Sequence, residues 1–360
     1  LLTSVVAFCR GGFEGEAARD LEHIGAQARA TVAPDIAPGT GFVVARTRDD
    51  HPSWLARWSA AAVAAEPIFP RSVFFGSGPH RLDAARTRGR ADRITPLVAA
   101  VESLRSRAPF SSVWLEHPDT NEGKALSPLT RSLHARLAGA LQAAGLLDLT
   151  AAKRPRLHVM LADGDTALVG ASDPERSSPW PMGIPRLRMP RGAPSRSTLK
   201  LAEAFVTFVD ESAVRAGQRA VDLGAAPGGW TWQLAQRGLR VTAIDNAALK
   251  GEVAGDPLVT HLRADGLHYR PRRLVDWVTC DIVESPARIA QLMGEWIGGG
   301  HARRAIFNLK LPMKKRYDEV ERCRDVIARA LERSDVQATL RVRQLYHDRE
   351  EVTGYLARVD

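Results

Sequence analysis

From residue 198 onward the chain alternates short apolar runs with helical patterns, and that alternation confines the carboxy-terminal half to a doubly wound α/β architecture. "RAVDLG", "RVTAID", "LVDWVTCDI", "RAIFNLKL" and "VTGYLARV" read as strands, and "WTWQLAQR", "PARIAQLMGEWI" and "YDEVERCRDVIARALERS" as the helices between them. In such a sheet, ligands are expected at the carboxyl ends of the strands. The residues at those ends are therefore the ones to read for chemistry.

The remainder of the 360-residue chain leaves room for further domains, at ~100–200 residues each. Residues 1–70 read as a small α+β unit: Val5 to Cys9 as a strand, "FEGEAARDLEHI" as a helix and Gly41 to Ala45 as a second strand. Residues 71–182 read as another, with "SVFF" extended, "ITPLVAAVESLRS" helical, "SSVWLEH" a strand, a long helix in "LSPLTRSLHARLAGALQAAGLL", and the strands "RLHVMLAD" and "ALVGAS". Residues 183–197, "GIPRLRMPRGAPSRS", carry Arg186, Arg188, Arg191 and Arg196 with no acidic residue. They are expected to form an extended basic linker before the domain at 198–360.

A net charge of +9 favours a polyanionic partner such as nucleic acid. The three cysteines, Cys9, Cys280 and Cys323, have no metal-ligand or disulfide spacing, so no metal is expected. No apolar run reaches the ~18–20 residues of a membrane span, and the opening "LLTSVVAF" lacks the marks of a signal peptide. A cytoplasmic protein with no membrane partner is the expectation.

"VDLGAAPGGW" sets Gly224, Gly228 and Gly229 between a strand and a helix, where glycine permits tight turns and close backbone approach to a ligand. It is neither a dinucleotide fingerprint nor a phosphate loop. Asp245 closes the next strand, about twenty residues on, where its carboxylate can accept both ribose hydroxyl protons. Asp265 follows the succeeding short strand and can accept from an adenine amino group. Asp281 ends "DWVTCDI", and Lys310 ends "RAIFNLKL" between Leu309 and Leu311. Lys200 stands just ahead of the helix "LAEAFVTF", and Glu350 and Glu351 precede the last strand. Two cations and several carboxylates can thus meet at one rim.

A lysine at the end of a buried strand needs a reason. Desolvation by the flanking leucines and repulsion from Lys200 lower its pKa toward the neutral amine that can take a proton from an alcohol, whereas Asp281 raises it. The sequence leaves the balance of these effects open.

"DLGAAPGGW" with "CDIVE", "FNLKLPMKKRYDEV" and "LYHDREEVT" resembles the RlmM family of bacterial large-subunit (23S) ribosomal RNA ribose 2′-O-methyltransferases, and more broadly FtsJ-like methyltransferases. The resemblance extends over essentially the whole chain. It implies a Rossmann-like class I methyltransferase domain preceded by α+β ferredoxin-like and THUMP-like domains, the latter around "DTNEGK" and "KRPRLHV". It also implies a catalytic tetrad of Lys200, Asp281, Lys310 and Glu351, with Lys310 as proton acceptor and Glu350 the other choice for the last member. S-adenosylmethionine contacts are implied at Ser197, Ala226, Pro227, Gly228, Gly229, Asp245, Asp265 and Asp281. The implied substrate is a cytidine in the peptidyl-transferase region of 23S rRNA, methylated before subunit assembly. Ala226 departs from the cysteine common in relatives, and the missing first methionine implies a trimmed start.

Three rivals are distinguishable. A base N-methyltransferase would show Asn/Asp-Pro-Pro-Tyr/Phe where "CDIVESP" stands. A pyrimidine C5-methyltransferase needs a cysteine nucleophile, for which Cys280 is the candidate, although strand alternation turns it to the core if Asp281 faces the crevice. A non-catalytic rRNA-binding assembly factor would use the basic linker and Lys314, Lys315 and Arg316, without needing the tetrad.

Overall fold

Among the described residues, strand pairing gives two seven-stranded sheets, one in each of two compact units, Leu1–Ile184 and Pro185–Asp360, and a two-stranded ribbon of Arg86–Thr87 with Arg90–Ala91. The computed structural model describes residues 2–48, 53–82, 86–87, 90–104, 106, 108–151 and 153–359. Leu1, the residues 49–50 that close "FVVARTRDD", and Arg105 of the expected helix segment lie outside the described residues.

In the amino-terminal unit the sheet order is Val32–Asp35, Phe42–Thr47, Ser4–Phe8, Ser72–Arg81, Thr166–Ser172, Arg156–Leu161, Ser112–Glu116. All neighbours are antiparallel except the last two strands, which run parallel. The change of pattern near residue 71 falls between hydrogen-bonded neighbours, because Ser4–Phe8 pairs with Ser72–Arg81. Helices Ile94–Ser103 and Ser127–Ala143 bury Leu97, Leu133, Leu137 and Leu141 against Leu157 and Val159 of the sheet. The helical spacing of those leucines places them on one face, and burying each contributes roughly 1.5–3 kcal/mol.

A polar group sits inside this unit. His158 bonds Glu116 at 2.7 Å and Ser172 at 2.8 Å, with Phe74 stacked on its ring. The acid–imidazole–hydroxyl order is that of a hydrolase, but all three side chains are buried. Glu116 also accepts from the Met182 amide at 2.6 Å, so the group ties the end of the unit to its own sheet.

In the carboxy-terminal unit the order is Val259–Leu262, Arg240–Ile244, Arg219–Leu223, Val275–Cys280, Ala302–Lys310, Glu351–Arg358, Ala338–Arg343. The first five run parallel, and Glu351–Arg358 is antiparallel to both of its neighbours. This is the doubly wound α/β sheet expected from the alternation, with a reversed strand near one edge. The chain builds outward in one direction through Arg240–Ile244 and Val259–Leu262, then returns to add Val275–Cys280 on the other side of Arg219–Leu223. A crevice opens at such a reversal, beyond the carboxyl ends of the two central strands.

Helices Thr198–Phe208 and Gly229–Ala235 cover one face, packing Leu201, Phe205 and Leu234 against Ala220, Trp277 and Ile306. Because successive strand residues point to opposite faces, the side chains two beyond Trp277 and Ile306 lie under the same helices. Asn308 and Thr279 occupy those positions, and both are fully buried. The polar chemistry therefore collects where this helix-covered face reaches the strand ends.

Residues 185–197 form neither helix nor strand, and Arg186, Arg188, Arg191 and Arg196 are exposed. The boundaries differ from the sequence reading at four site residues. Asp245 and Asp281 each lie one residue beyond the strand they were read as ending. Lys200 lies in the first turn of Thr198–Phe208 instead of ahead of it, and Glu351 opens the last strand instead of preceding it.

Candidate active site

The glycine turn forms the floor of the crevice. Gly228 has φ of +114°, a region that L side chains rarely adopt, and it leads directly into helix Gly229–Ala235. A Cβ on Gly229 would come within 2.4 Å of the Ser197 Oγ and 2.5 Å of the Ser195 Oγ. Only glycine lets these hydroxyls approach the start of the helix so closely. The Trp230 Nε1 donates to the Ser197 carbonyl at 3.0 Å, which further fixes Ser197 to the turn.

Asp245 supports the same turn, its Oδ2 accepting from the Ala226 amide at 3.0 Å and its Oδ1 from the Ala247 amide at 2.8 Å. Each carboxylate oxygen has a second lone pair, so capacity for ligand hydroxyls remains. Asp265 is exposed one strand further out; its oxygens take the Leu267 amide at 2.8 Å and the His268 Nδ1 at 2.7 Å. Those two contacts, the amide first, hold its carboxyl below the ordinary range. The sequence reading missed His268, although Asp-x-x-His in a turn places the two side chains within reach. Ser197, residues 226–229 and Asp245 share one locus, and Asp265 stands at the next strand end.

The charged residues meet on the other side of the central strand. Lys310 Nζ donates short hydrogen bonds to Asp281 Oδ1 and Glu351 Oε2. Lys200 Nζ pairs closely with Glu351 Oε1 and lies 3.5 Å from Asp281 Oδ2. Each carboxylate thus binds both ammonium groups. Strand register explains part of this, since Lys310 and Glu351 are directly opposed in the antiparallel ladder. Lys200 arrives from the covering helix.

Burial is the largest influence on Lys310 and pulls its pKa down, but Asp281 and Glu351, by charge and hydrogen bond, outweigh it and leave the pKa raised. The sequence left this balance open; with both carboxylates against the amine it falls toward the charged form. The amine side chain is 24% exposed and reaches past the leucines to the carboxylates. Burial would likewise raise the Glu351 carboxyl, yet Lys310 and Lys200 hold it below the ordinary range. Glu350 points elsewhere, to Arg316 at 2.8 Å, with its side chain 60% exposed.

Cys280 is fully buried, and burial pushes its thiol up to about 12, so it offers no thiolate. Cys280→Ala is expected to retain methyl transfer within about twofold of the parent rate, because a buried, protonated thiol supplies no nucleophile. A loss of several hundredfold in a folded variant would restore the C5 alternative. Among the described residues, no group of three or more His, Cys, Asp or Glu side chains is placed to hold a metal ion, and no helix is long and apolar enough to cross a membrane.

Residues behind the tetrad were not anticipated. Asn308 Nδ2 donates to Asp281 Oδ1 at 3.2 Å, and Thr353 Oγ1 lies 2.9 Å from Asn308 Oδ1. Asn308 is two positions before Lys310 and Thr353 two after Glu351, so alternation along the strands was the signal available.

Comparison with known proteins gives the family. Residues 92–173 match the family "Ribosomal RNA large subunit methyltransferase M, N-terminal", and residues 193–314 match the FtsJ-like methyltransferase family. The "Ribosomal RNA large subunit methyltransferase M" of Thauera aminoaromatica is 48% identical over 98% of this chain and 95% of its own length. Its counterparts from Azoarcus sp. (strain BH72) and Methylococcus capsulatus are each 47% identical over 99% of this chain, covering 96% and 99% of their own lengths. Similarity at that level from end to end, joined to a class I crevice in the carboxy-terminal unit, means that the chain belongs to the ribosomal RNA large subunit methyltransferase M family and is an rRNA methyltransferase.

Proposed function

We propose that this rRNA methyltransferase transfers a methyl group from S-adenosylmethionine to a ribose 2′-hydroxyl, that of a cytidine in the peptidyl-transferase region of 23S rRNA, before the subunit is assembled. The observation that carries the reading is the meeting of Lys200, Asp281, Lys310 and Glu351 at the strand ends next to the Gly224–Gly229 turn. An alcohol is a poor nucleophile until its proton is removed, and this cluster joins a proton acceptor to fixed counter-charges. The choice of cytidine rests on the family resemblance.

The donor fits the residues present. Asp245, Asp265 and the backbone of residues 226–229 provide the acceptors and close backbone approach that an adenosyl group needs, and Ser197 is held against the turn. When bound, S-adenosylmethionine supplies an electrophilic sulfonium methyl. Asp281 and Lys200 orient the ribose hydroxyl. Lys310, once neutral, accepts its proton, and Asp281 with Glu351 stabilises the ammonium that forms. Holding the reactants at attack distance supplies much of the acceleration, up to about 7–11 kcal/mol for well-oriented groups.

The exposed arginines of residues 183–197 and the amino-terminal unit, in the divisions 1–70 (ferredoxin-like) and 71–182 (THUMP-like), would track RNA phosphates and bring the target to the crevice. Single-stranded or splayed nucleotides within folded RNA are the fitting target, because a duplex shows its 2′-hydroxyls without sequence identity. The test is to incubate the protein with methyl-labelled S-adenosylmethionine and unmodified 23S rRNA. The label is expected at one alkali-resistant linkage, since a 2′-O-methyl blocks cleavage there. Label on a base would overturn the ribose assignment.

A further inference from the structure

Asp281 has two oxygens and must present them to two lysines, so something must stop the carboxylate from rotating. Its Oδ1 takes both Lys310 Nζ and Asn308 Nδ2, and its Oδ2 faces Lys200. Asn308 is fully buried, and its amide can face Asp281 by either end. Turned the wrong way, its carbonyl oxygen would meet a carboxylate.

Thr353 decides the orientation. It stands opposite Asn308 in the same antiparallel ladder that opposes Lys310 to Glu351, so both pairs lie on the helix-covered face. Its Oγ1 is 2.9 Å from Asn308 Oδ1, and also 3.1 and 2.9 Å from the two oxygens of Asp348. A hydroxyl has one hydrogen to give. Given to Asn308, it locks the amide nitrogen toward Asp281, and Thr353 must then accept from Asp348. Given to Asp348, it leaves the Asn308 carbonyl facing a lone pair.

We infer that Asn308, Thr353 and Asp348 are positioning residues, a buried hydrogen-bonded chain in which Asp348 donates to Thr353, Thr353 to Asn308 and Asn308 to Asp281. The inference deepens the proposed function and rests on the tetrad reading. Asp348 is fully buried, and burial, reinforced by the charges of Glu351 and Glu203, pushes its carboxyl well above the carboxylate range, which favours the proton this direction requires. The Leu345 amide donates at 2.9 Å to Asp348 Oδ2, and Asp348 Oδ1 lies 3.1 Å from the Thr353 hydroxyl. Each of the three links then joins one donor to one acceptor.

The chain also spreads the charge of Asp281, which otherwise falls wholly on the lysines. Removing the Asn308 donation should tighten the hold of Asp281 on Lys310 and make the amine harder to deprotonate. Asp281 and Glu351 are the carboxylates that face Lys310, Lys200 is the neighbouring cation, and the more distant Asp222, its carboxyl raised by burial to about 7, also feels the charge of Asp281.

Thr353→Val removes the hydroxyl at nearly constant volume, and Thr353→Ser keeps it. Both would be made in the full chain, with kcat, KM for 23S rRNA and for S-adenosylmethionine, and thermal midpoint measured. Thr353→Val is expected to lower kcat about tenfold, as the loss of one orienting hydrogen bond implies, with both KM values unchanged. The ascending limb of its kcat–pH profile is expected to move to higher pH, and Thr353→Ser to recover kcat to within about threefold of the parent. A folded Thr353→Val protein with parental kcat, or a serine variant as slow as the valine one, would overturn the inference. Should Thr353→Val fail to fold, Asn308→Leu, which removes the donor and keeps a branched side chain, is expected to show the same loss of kcat and alkaline shift; parental kcat there would overturn the inference equally. An active Lys310→Ala protein would remove the tetrad reading itself, whereas an inactive one beside a fully active Thr353→Val would remove only the chain.

Discussion

Lys310→Ala is expected to lower methyl transfer by about 10²–10⁴-fold while leaving RNA binding intact, because a positioned general base contributes that much and alanine offers no acceptor. Lys310→Arg should be no better. A guanidinium preserves the charge that pairs with Asp281 and Glu351, but it does not deprotonate in proteins. The two variants together separate the need for a base from the need for a cation. The pH dependence follows from the raised pKa of Lys310. Below that pKa the neutral fraction grows about tenfold per pH unit, so kcat should climb with pH through the neutral and alkaline range with a logarithmic slope of about one. Single-turnover assays with labelled donor, beside a filter-binding measurement of RNA affinity, would show both effects. A Lys310→Ala protein that methylates at the parental rate would end the assignment.

Glu351→Ala is expected to weaken the fold as well as the chemistry, and the contrast with its neighbour makes this decisive. The Glu351 side chain is 6% exposed and bridges both lysines. Removing one member of a buried ionic cluster costs about 3–5 kcal/mol, because the remaining charges keep their desolvation penalty. The lower end, about 3 kcal/mol, is the expectation here, since Lys200 and Lys310 are 17% and 24% exposed and can reach water. Glu350→Ala removes a pair whose acidic side chain is 60% exposed, worth less than about 1 kcal/mol, and should leave kcat unchanged. Denaturant unfolding of the two variants, with kcat measured on each, checks the choice between adjacent glutamates. Equal effects would return Glu350 to consideration.

Much of the site was legible because strand ends announce themselves. A cation between two leucines, an aspartate closing an apolar run and glycines at a strand-to-helix turn are each costly or unusual unless used. The sequence could not show how the opposing influences on Lys310 sum, because that depends on two carboxylates close enough to share its ammonium protons, one of them 41 residues away. The chain behind Asp281 stayed hidden for a similar reason. Asn308 and Thr353 look like ordinary strand residues until the register between their strands is known. Two strands at sheet edges, Val32–Asp35 and Ala338–Arg343, were also missed. The first contains a proline, and the second alternates with arginines and is mostly half-exposed, so neither carries the apolar signal of a central strand. The pairing of Ser4–Phe8 with Ser72–Arg81 is a long-range contact that no local pattern encodes.

The ladder between Ala302–Lys310 and Glu351–Arg358 has a consequence for how this enzyme can vary. Two opposed pairs, Lys310 with Glu351 and Asn308 with Thr353, must stay in phase, and adding or deleting one residue between 351 and 353 would turn half of them to the far side of the sheet. Length changes should therefore be absent from that stretch in working homologues. The mostly exposed residues 333–337, which join helix Arg316–Glu332 to strand Ala338–Arg343 at the far end of the sheet, are where length changes are expected to leave catalysis intact.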